Sequence, residues 1–210
     1  MDDVVADLRA YYDQDAHVRS ERELYGMRVE LREMFLGRLG PTPQRVLEVG
    51  CGPGKDATAF VAAGHRHVGV DLSAVHARYT LEAGAPALQA SLLSLPVATA
   101  SVDAAWSMST YMHVPTDMID AAVAELCRVV RPGGLIGIGT WGGTGVEAVL
   151  DGDRFDPPRF FALRTHAHVR SLYERHGEID HWETGPPGSD GWEYQFAVFR
   201  PLSGPRFGRP

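Results

Sequence analysis

The feature that most constrains the fold is an apolar run that passes directly into three alternating glycines. The run and the turn read Val-Leu-Glu-Val-Gly-Cys-Gly-Pro-Gly over residues 46–54, and an apolar-periodic segment opens at Asp56. Glycine lacks a side chain and adopts positive φ readily, so the backbone of such a turn can approach a ligand closely. A helix that starts directly after it presents free N–H groups. The stretch predicts a buried strand, a turn and a helix that form a nucleotide-type cofactor site.

Strand and helix patterns alternate five times between residues 45 and 141. This alternation predicts an α/β fold with a parallel sheet, helices on both faces and right-handed connections. Two later strands are joined by a short loop without a helix, so we expect them to pair antiparallel. The predicted strands are 45–49, 67–71, 87–90, 102–107, 135–141, 178–184 and 192–200.

The remaining segments flank this alternating region. Residues 2–39 predict two helices with a polar bend at 13–22, and Ser73, Thr116 and Thr165 are predicted helix caps. Residues 142–164 have little periodicity, which is typical of a lid or binding loop. We therefore expect one domain over 1–200, with an N-terminal helical cap (1–40), an acceptor-side loop (142–165) and a flexible tail (201–210).

Composition narrows the function class. The 210 residues are 44% hydrophobic and 22% charged, as in an ordinary globular domain, and the net charge of −7 argues against a nucleic-acid partner. The two cysteines indicate neither a disulfide framework nor a metal site. The start lacks a signal-peptide pattern and no run reaches the roughly 20 apolar residues of a membrane span, so a cytoplasmic location without a membrane partner is expected.

Spacing tests two common nucleotide fingerprints. The phosphate-binding P-loop fails because Val49 and Asp56 occupy its first and last positions. The dinucleotide fingerprint fails at its third glycine, where Lys55 stands. Asp71 lies about 20 residues after the turn, at the spacing used to bind a ribose diol. Glu48 would repel a pyrophosphate and is compatible with a cationic or zwitterionic ligand.

Five stretches in this order resemble the class I S-adenosylmethionine-dependent methyltransferases of the small-molecule, methyltransferase type 11-like kind. They are 46–54, 68–73, 95–96, 101–107 and 126–135. The resemblance implies a Rossmann-like, doubly wound seven-stranded sheet, mostly parallel with a C-terminal antiparallel strand, in the order 3-2-1-4-5-7-6. It implies S-adenosylmethionine as the cofactor.

The resemblance also implies the cofactor-binding residues. Gly50, Cys51 and Gly52 would offer backbone to the methionine and ribose parts, and Asp71 would hold the ribose hydroxyls. Ser91 stands where such families often have an aspartate that contacts the adenine amine, so its hydrogen bond would be weaker. The complete predicted set is Tyr12, Glu48, Gly50, Cys51, Gly52, Asp71, Leu72, Ser91, Leu92, Ser107 and Met108.

Candidates for the acceptor side follow the later strands. His113 comes after the fourth strand, near the sheet edge where ligands bind, and is a candidate general base; a packing role is the alternative. Tyr25, Trp141, Arg154 and His166 are the predicted substrate residues. Phe160, Arg164, Trp192 and Tyr194 are expected near the same pocket, and Arg19 and Arg22 either reach the cofactor carboxylate or lie on a solvated face.

The leading hypothesis is methyl transfer from S-adenosylmethionine to an oxygen, nitrogen or carbon atom of a small molecule. The alternatives are an NAD(P)-dependent oxidoreductase and a non-catalytic S-adenosylmethionine-binding protein. A homodimer is left open. No motif identifies the acceptor, because displacement from a sulfonium requires positioning and exclusion of water more than a fixed set of catalytic groups.

Overall fold

The computed structural model describes residues 2–24 and 26–202. Its helices are α1 (Asp2–Glu21), α2 (Gly26–Leu39), α3 (Ala57–Ala62), α4 (Ala74–Glu82), α5 (Ile119–Val129) and α6 (His166–His176). Its strands are β1 (Arg45–Val49), β2 (Arg66–Asp71), β3 (Ala87–Gln89), β4 (Val102–Met108), β5 (Val130–Gly142), β6 (Val146–Val149), β7 (Phe160–Leu163), β8 (Gly177–Thr184) and β9 (Glu193–Pro201). Within these described ranges, no helix combines the length and the apolar character needed to cross a bilayer.

The central sheet has seven strands in the order β3-β2-β1-β4-β5-β9-β8. The five strands from β3 to β5 are parallel, and β9 pairs antiparallel with both β5 and β8. This confirms the predicted topology, since β6 and β7 form a separate two-stranded hairpin that shifts only the numbering. The carboxyl ends of β1, β2 and β4 therefore meet at one edge of the sheet.

Each face of the sheet buries a separate apolar cluster. On one face, Leu126 of α5 and Leu172 of α6 pack with the strand residues Leu47 and Ile138. On the other face, Phe35 of α2 and Phe60 of α3 pack around Trp106 of β4. These side chains are completely or almost completely buried. The helices on both faces follow from the continuous apolar runs of the parallel strands.

Three local predictions were wrong. The polar stretch 13–22 is not a bend, because α1 continues to Glu21 and its polar groups find partners: the Ser73 hydroxyl donates to Asp13, and Arg19 donates to Asp15. Thr116 caps no helix; α5 begins after Met118. Residues 142–164 are not wholly irregular, since the four-residue strands β6 and β7 pair there. Strands this short leave almost no periodic signal.

Candidate functional site

The glycine turn is held against β2 by its own backbone. The N–H groups of Gly50 and Cys51 both donate to the carbonyl oxygen of Val70, at 2.8 and 3.1 Å. Gly50 has a φ of +74°, and a Cβ added there would lie 2.0 Å from the Thr110 hydroxyl oxygen. A side chain is thus excluded both by conformation and by space. The turn keeps bare backbone at the carboxyl edge of the sheet.

Asp71 ends β2 beside this turn. Its Oδ2 accepts from the N–H of Gly52 at 2.8 Å, and its Oδ1 accepts from the N–H of Ser73 at 2.9 Å. A carboxylate offers about four lone-pair directions, so acceptor capacity is left for a ligand. His76 lies next to it, with Nδ1 3.5 Å from Oδ1. The Nε2 of His76 is buried without a hydrogen-bond partner among the described residues.

A cavity of about 410 Å³ opens above these groups. Asp71 is the only carboxylate among the described residues that line it. Eight of the predicted cofactor residues line the cavity: Tyr12, Gly50, Gly52, Asp71, Leu72, Ser91, Leu92 and Met108. Their convergence brings the glycine turn, the acid and the predicted adenine-side residues to a single site; the role of each residue remains a prediction.

Three predicted cofactor residues do not line the cavity. Glu48 is buried, with Oε2 2.9 Å from Nε2 of His67, and burial raises the pKa of its carboxyl to about 7. Ser107 is completely buried and donates its hydroxyl to the Val49 carbonyl at 2.7 Å. Cys51 packs against Gly69, and burial raises the pKa of its thiol. Cys51 is therefore a small packing residue with an unreactive thiol. Their contacts in the structure are with protein groups.

His113 lies in the cavity wall, in a short 3₁₀ turn after β4. Its Nδ1 is 2.7 Å from the carbonyl oxygen of Phe160 and its Nε2 is 2.6 Å from the Tyr12 hydroxyl. A carbonyl only accepts, so Nδ1 carries the proton and Nε2 accepts from Tyr12. Burial lowers the pKa of His113 to about 3. The imidazole is therefore neutral at pH 7, and its lone pair is engaged.

The predicted substrate residues do not all lie at the cavity. Trp141 lines the cavity, 4.9 Å from the Tyr194 ring and on the same side as Phe161 and Trp192. Arg154 is exposed and does not line the cavity, and His166 pairs with Glu193 at 3.1 Å, also away from the cavity. Tyr25 lies outside the described residues. Among the described residues, no cluster of three or more His, Cys, Asp or Glu side chains could hold a metal ion.

Sequence reasoning missed two arginines of the cavity. Arg28 from α2 is paired with the buried Asp56, and Arg159 from the segment before β7 is paired with Asp153. The sequence indicated only that Asp56 begins a helix, which gave no sign of a partner for Arg28. Arg159 lies in a stretch without periodicity. The Arg-Phe-Phe sequence at 159–161, with a β-forming aromatic pair, was the one available signal for Arg159.

The fold and the site together define a class: an open parallel sheet whose first strand ends in a glycine turn, with an acid at the end of the next strand. A sequence family described as "Methyltransferase domain" matches residues 47–138. The matched segment is less than half of the 210-residue chain and contains both the glycine turn and Asp71.

Relatives extend this comparison. An uncharacterized methyltransferase of Mycobacterium ulcerans (strain Agy99) is 40% identical over 121 residues, which cover 52% of this chain and 47% of the relative. The chain thus matches about half the length of that protein. Among solved structures, the 1,6-didemethyltoxoflavin-N1-methyltransferase of Burkholderia thailandensis, with bound 1,6-didemethyltoxoflavin and S-adenosylhomocysteine, has a TM-score of 0.74 at 20% identity, covering 93% of this chain and 88% of its own.

A second structure is similar over almost the whole length. The protein in complex with the Haloferax volcanii Trm112 methyltransferase activator gives a TM-score of 0.70 at 15% identity, covering 97% of this chain and 99% of its own. At these identities the two structures support the fold.

Proposed function

We propose that this protein transfers a methyl group from S-adenosylmethionine to an oxygen, nitrogen or carbon atom of a small molecule. The observation that carries the proposal is the cavity, which joins the glycine turn and Asp71 to an apolar aromatic wall at Trp141, Phe161 and Trp192. A cavity of about 410 Å³ lies in the range of small-molecule sites. The methyltransferase family of residues 47–138 supports the choice of cofactor.

The cofactor end offers groups that suit a nucleoside. Gly50 and Gly52 keep side chains away from the ligand, and the free lone pairs of Asp71 can accept both ribose hydroxyl hydrogens. Leu72 and Leu92 supply apolar contact for a base, and Ser91 supplies a weak acceptor. The unpartnered Nε2 of His76 adds a polar group near the same end.

Bound S-adenosylmethionine would supply an activated methyl group whose leaving group, a neutral thioether, needs no acid. The protein then has to position the acceptor and exclude water. Tyr12 and His113 close one side of the cavity through their hydrogen bond, while Trp141 and Trp192 form the apolar wall. His113 is proposed here as the residue that faces the reacting atoms, with its neutral ring fixed by two hydrogen bonds.

Calorimetric titration tests the cofactor assignment. We expect S-adenosylhomocysteine to bind and NAD⁺ not to bind, and Asp71→Asn to weaken S-adenosylhomocysteine about 10- to 100-fold, as for the loss of a hydrogen bond to a charged group. Asp117→Asn, at an exposed position outside the cavity, is the control. Binding of NAD⁺ in place of S-adenosylhomocysteine would instead support the oxidoreductase alternative.

Product formation tests the activity. Purified protein, S-adenosylmethionine and a metabolite extract should give a species that gains the mass of one methyl group, together with S-adenosylhomocysteine. Tight cofactor binding without any methylated product would support a non-catalytic binding protein.

A further inference from the structure

The acceptor end of the cavity combines a positive charge with an aromatic wall. Arg159 lines the cavity, and its guanidinium carbon lies 5.0 Å from the centre of the Phe161 ring. Phe161 is in turn 5.2 Å from the Trp192 ring. Trp141 and Tyr194 continue the wall. Such rings favour a planar ligand through stacked and edge-on contacts.

An ion pair on the side away from the cavity holds the Arg159 guanidinium in place. Its Nε and Nη2 donate to the two carboxylate oxygens of Asp153 at 2.7 and 2.8 Å, an arrangement that leaves Nη1 outside the ion pair. Asp153 does not line the cavity, and its charge is shared with the Tyr11 hydroxyl and with two backbone N–H groups. The pair therefore presents its positive end to the cavity.

Few groups at the acceptor end of the cavity could act as a general base. Among the described lining residues on the acceptor side, His113 is the one histidine, and its Nε2 already accepts from Tyr12. Asp71 lies at the cofactor end, where it is bonded to the glycine turn. An acceptor that enters already deprotonated needs no base.

From this juxtaposition of Arg159 with the aromatic wall we infer that the acceptor is a planar aromatic molecule that carries an anionic oxygen, either a carboxylate or an acidic phenol. The inference rests on the proposed function. In the reaction, a lone pair of the anionic oxygen forms the bond to the methyl carbon while the carbon–sulfur bond breaks and its electron pair stays on sulfur. An anion and a sulfonium thus give a neutral ester or ether and a neutral thioether, with no proton released.

Matched probes test the inference. Benzoate and benzamide, and 2-naphthoate and 2-naphthamide, are titrated into protein saturated with S-adenosylhomocysteine. We expect each carboxylate to bind at least about tenfold more tightly than its amide, as for one charge-assisted hydrogen bond. In Arg159→Gln the preference should fall to less than about twofold, whereas Arg159→Lys should keep part of it. Arg170→Gln, which alters an exposed ion pair on α6, is the control.

The outcomes separate this inference from the proposed function. Failure of S-adenosylhomocysteine to bind the unaltered protein would contradict the proposed function. Normal S-adenosylhomocysteine binding with no carboxylate binding, with equal affinity for acid and amide, or with a preference that survives Arg159→Gln, would overturn the inference alone. Loss of S-adenosylhomocysteine affinity in both Arg159 variants would also overturn it, because Arg159 would then serve the cofactor. Methylation of 2-naphthoate, detected by mass spectrometry, would support it directly.

Discussion

At Asp56 one completely buried carboxylate joins three elements of the fold. Its Oδ2 accepts from Arg28 Nη2 at 2.8 Å and from Trp106 Nε1 at 2.9 Å, while its Oδ1 accepts from Arg32 at 3.3 Å. Burial by itself would lower the pKa of Arg28, yet the negative charge of Asp56 raises it above its ordinary value. The glycine turn, α2 and β4 are thereby locked together beneath the cavity.

Asp56→Asn should strongly destabilise the protein. Removal of the carboxylate charge leaves buried guanidinium groups uncompensated, which costs about 3–5 kcal/mol of unfolding free energy. Asp103→Asn is the matched control, because Asp103 also holds two arginines, Arg45 and Arg131, but in a partly exposed setting where about 1 kcal/mol or less is expected. Urea denaturation at pH 7 measures both, and similar losses would contradict the assignment of Asp56.

Glu48 makes stability depend on pH. Its carboxyl has a folded-state pKa of about 7, raised by burial from an ordinary value of 4.5. Between these two values the folded protein binds more protons than the unfolded chain, so stability falls as the pH rises.

We expect the unaltered protein to lose stability relative to Glu48→Gln as the pH rises from 5 to 8, by an amount on the order of 1–3 kcal/mol. Denaturation of both proteins across this range gives the difference. Glu82→Gln, in an exposed pair with Arg78, should show no such trend. A difference that is constant with pH would mean that Glu48 is charged throughout.

Among the elements, α1 and the hairpin β6–β7 cover the cavity and together form its roof. The Tyr11 hydroxyl donates to Asp153 at 2.9 Å, and Gln14 donates to the Asp156 carbonyl at 2.8 Å. Tyr12, His113 and the Phe160 carbonyl form a second connection. Since both connections bridge parts of the chain far apart in sequence, the roof forms only when the whole domain is folded.

Tyr11→Phe tests the roof. Loss of the hydroxyl removes a hydrogen bond to a charged group, worth about 1.5–3 kcal/mol, so the hairpin should open at least about tenfold more often. Hydrogen exchange of residues 146–163 should accelerate, while affinity for S-adenosylhomocysteine stays unchanged. Tyr79→Phe, on α4 and outside the cavity, provides the comparison. Unaltered exchange in the hairpin would show that Tyr11 does not hold it.

The elements differ in how far the sequence predicts them. The run into Gly50 predicted β1 and the turn, and Ser73 predicted the start of α4, where it accepts from the N–H of His76. These signals are local, since periodicity and capping act within a few residues. Arg159 could not be placed in the same way, because its position depends on contacts with Tyr11 and Asp153 that form only in the folded chain.

At the scale of the whole molecule, the alternation of strands and helices predicted the parallel sheet, and the strand order that the family resemblance implied was confirmed. That order brings the carboxyl ends of β1, β2 and β4 together and so fixes the cofactor half of the candidate site. The acceptor half depends on α1, on the hairpin and on β9, which no single periodic pattern places. Eight of the eleven residues predicted to bind the cofactor line the cavity, whereas of the aromatic wall only Trp141, Trp192 and Tyr194 were named from the sequence.

Saturation with S-adenosylhomocysteine should stabilise the entire domain. At 100 times the dissociation constant, a ligand specific for the folded state adds about 2.7 kcal/mol, which raises the Tm of a chain this size by roughly 5–10 °C. Differential scanning calorimetry measures the shift. The Tm of the Asp71→Asn variant should rise less at the same ligand concentration, and NAD⁺ should not change the Tm of the unaltered protein. A similar shift with NAD⁺ would argue for the oxidoreductase alternative.

Helix α1 reaches both ends of the cavity. Asp13 accepts from Ser73 beside the predicted ribose site, and Tyr12 donates to His113 on the acceptor side. Because Tyr12 and Asp13 are consecutive residues of α1, this turn of the helix cannot move away from one contact without straining the other. Exchange of the two ligands is therefore coupled, and the release of α1, more than the transfer itself, is expected to set the pace of turnover.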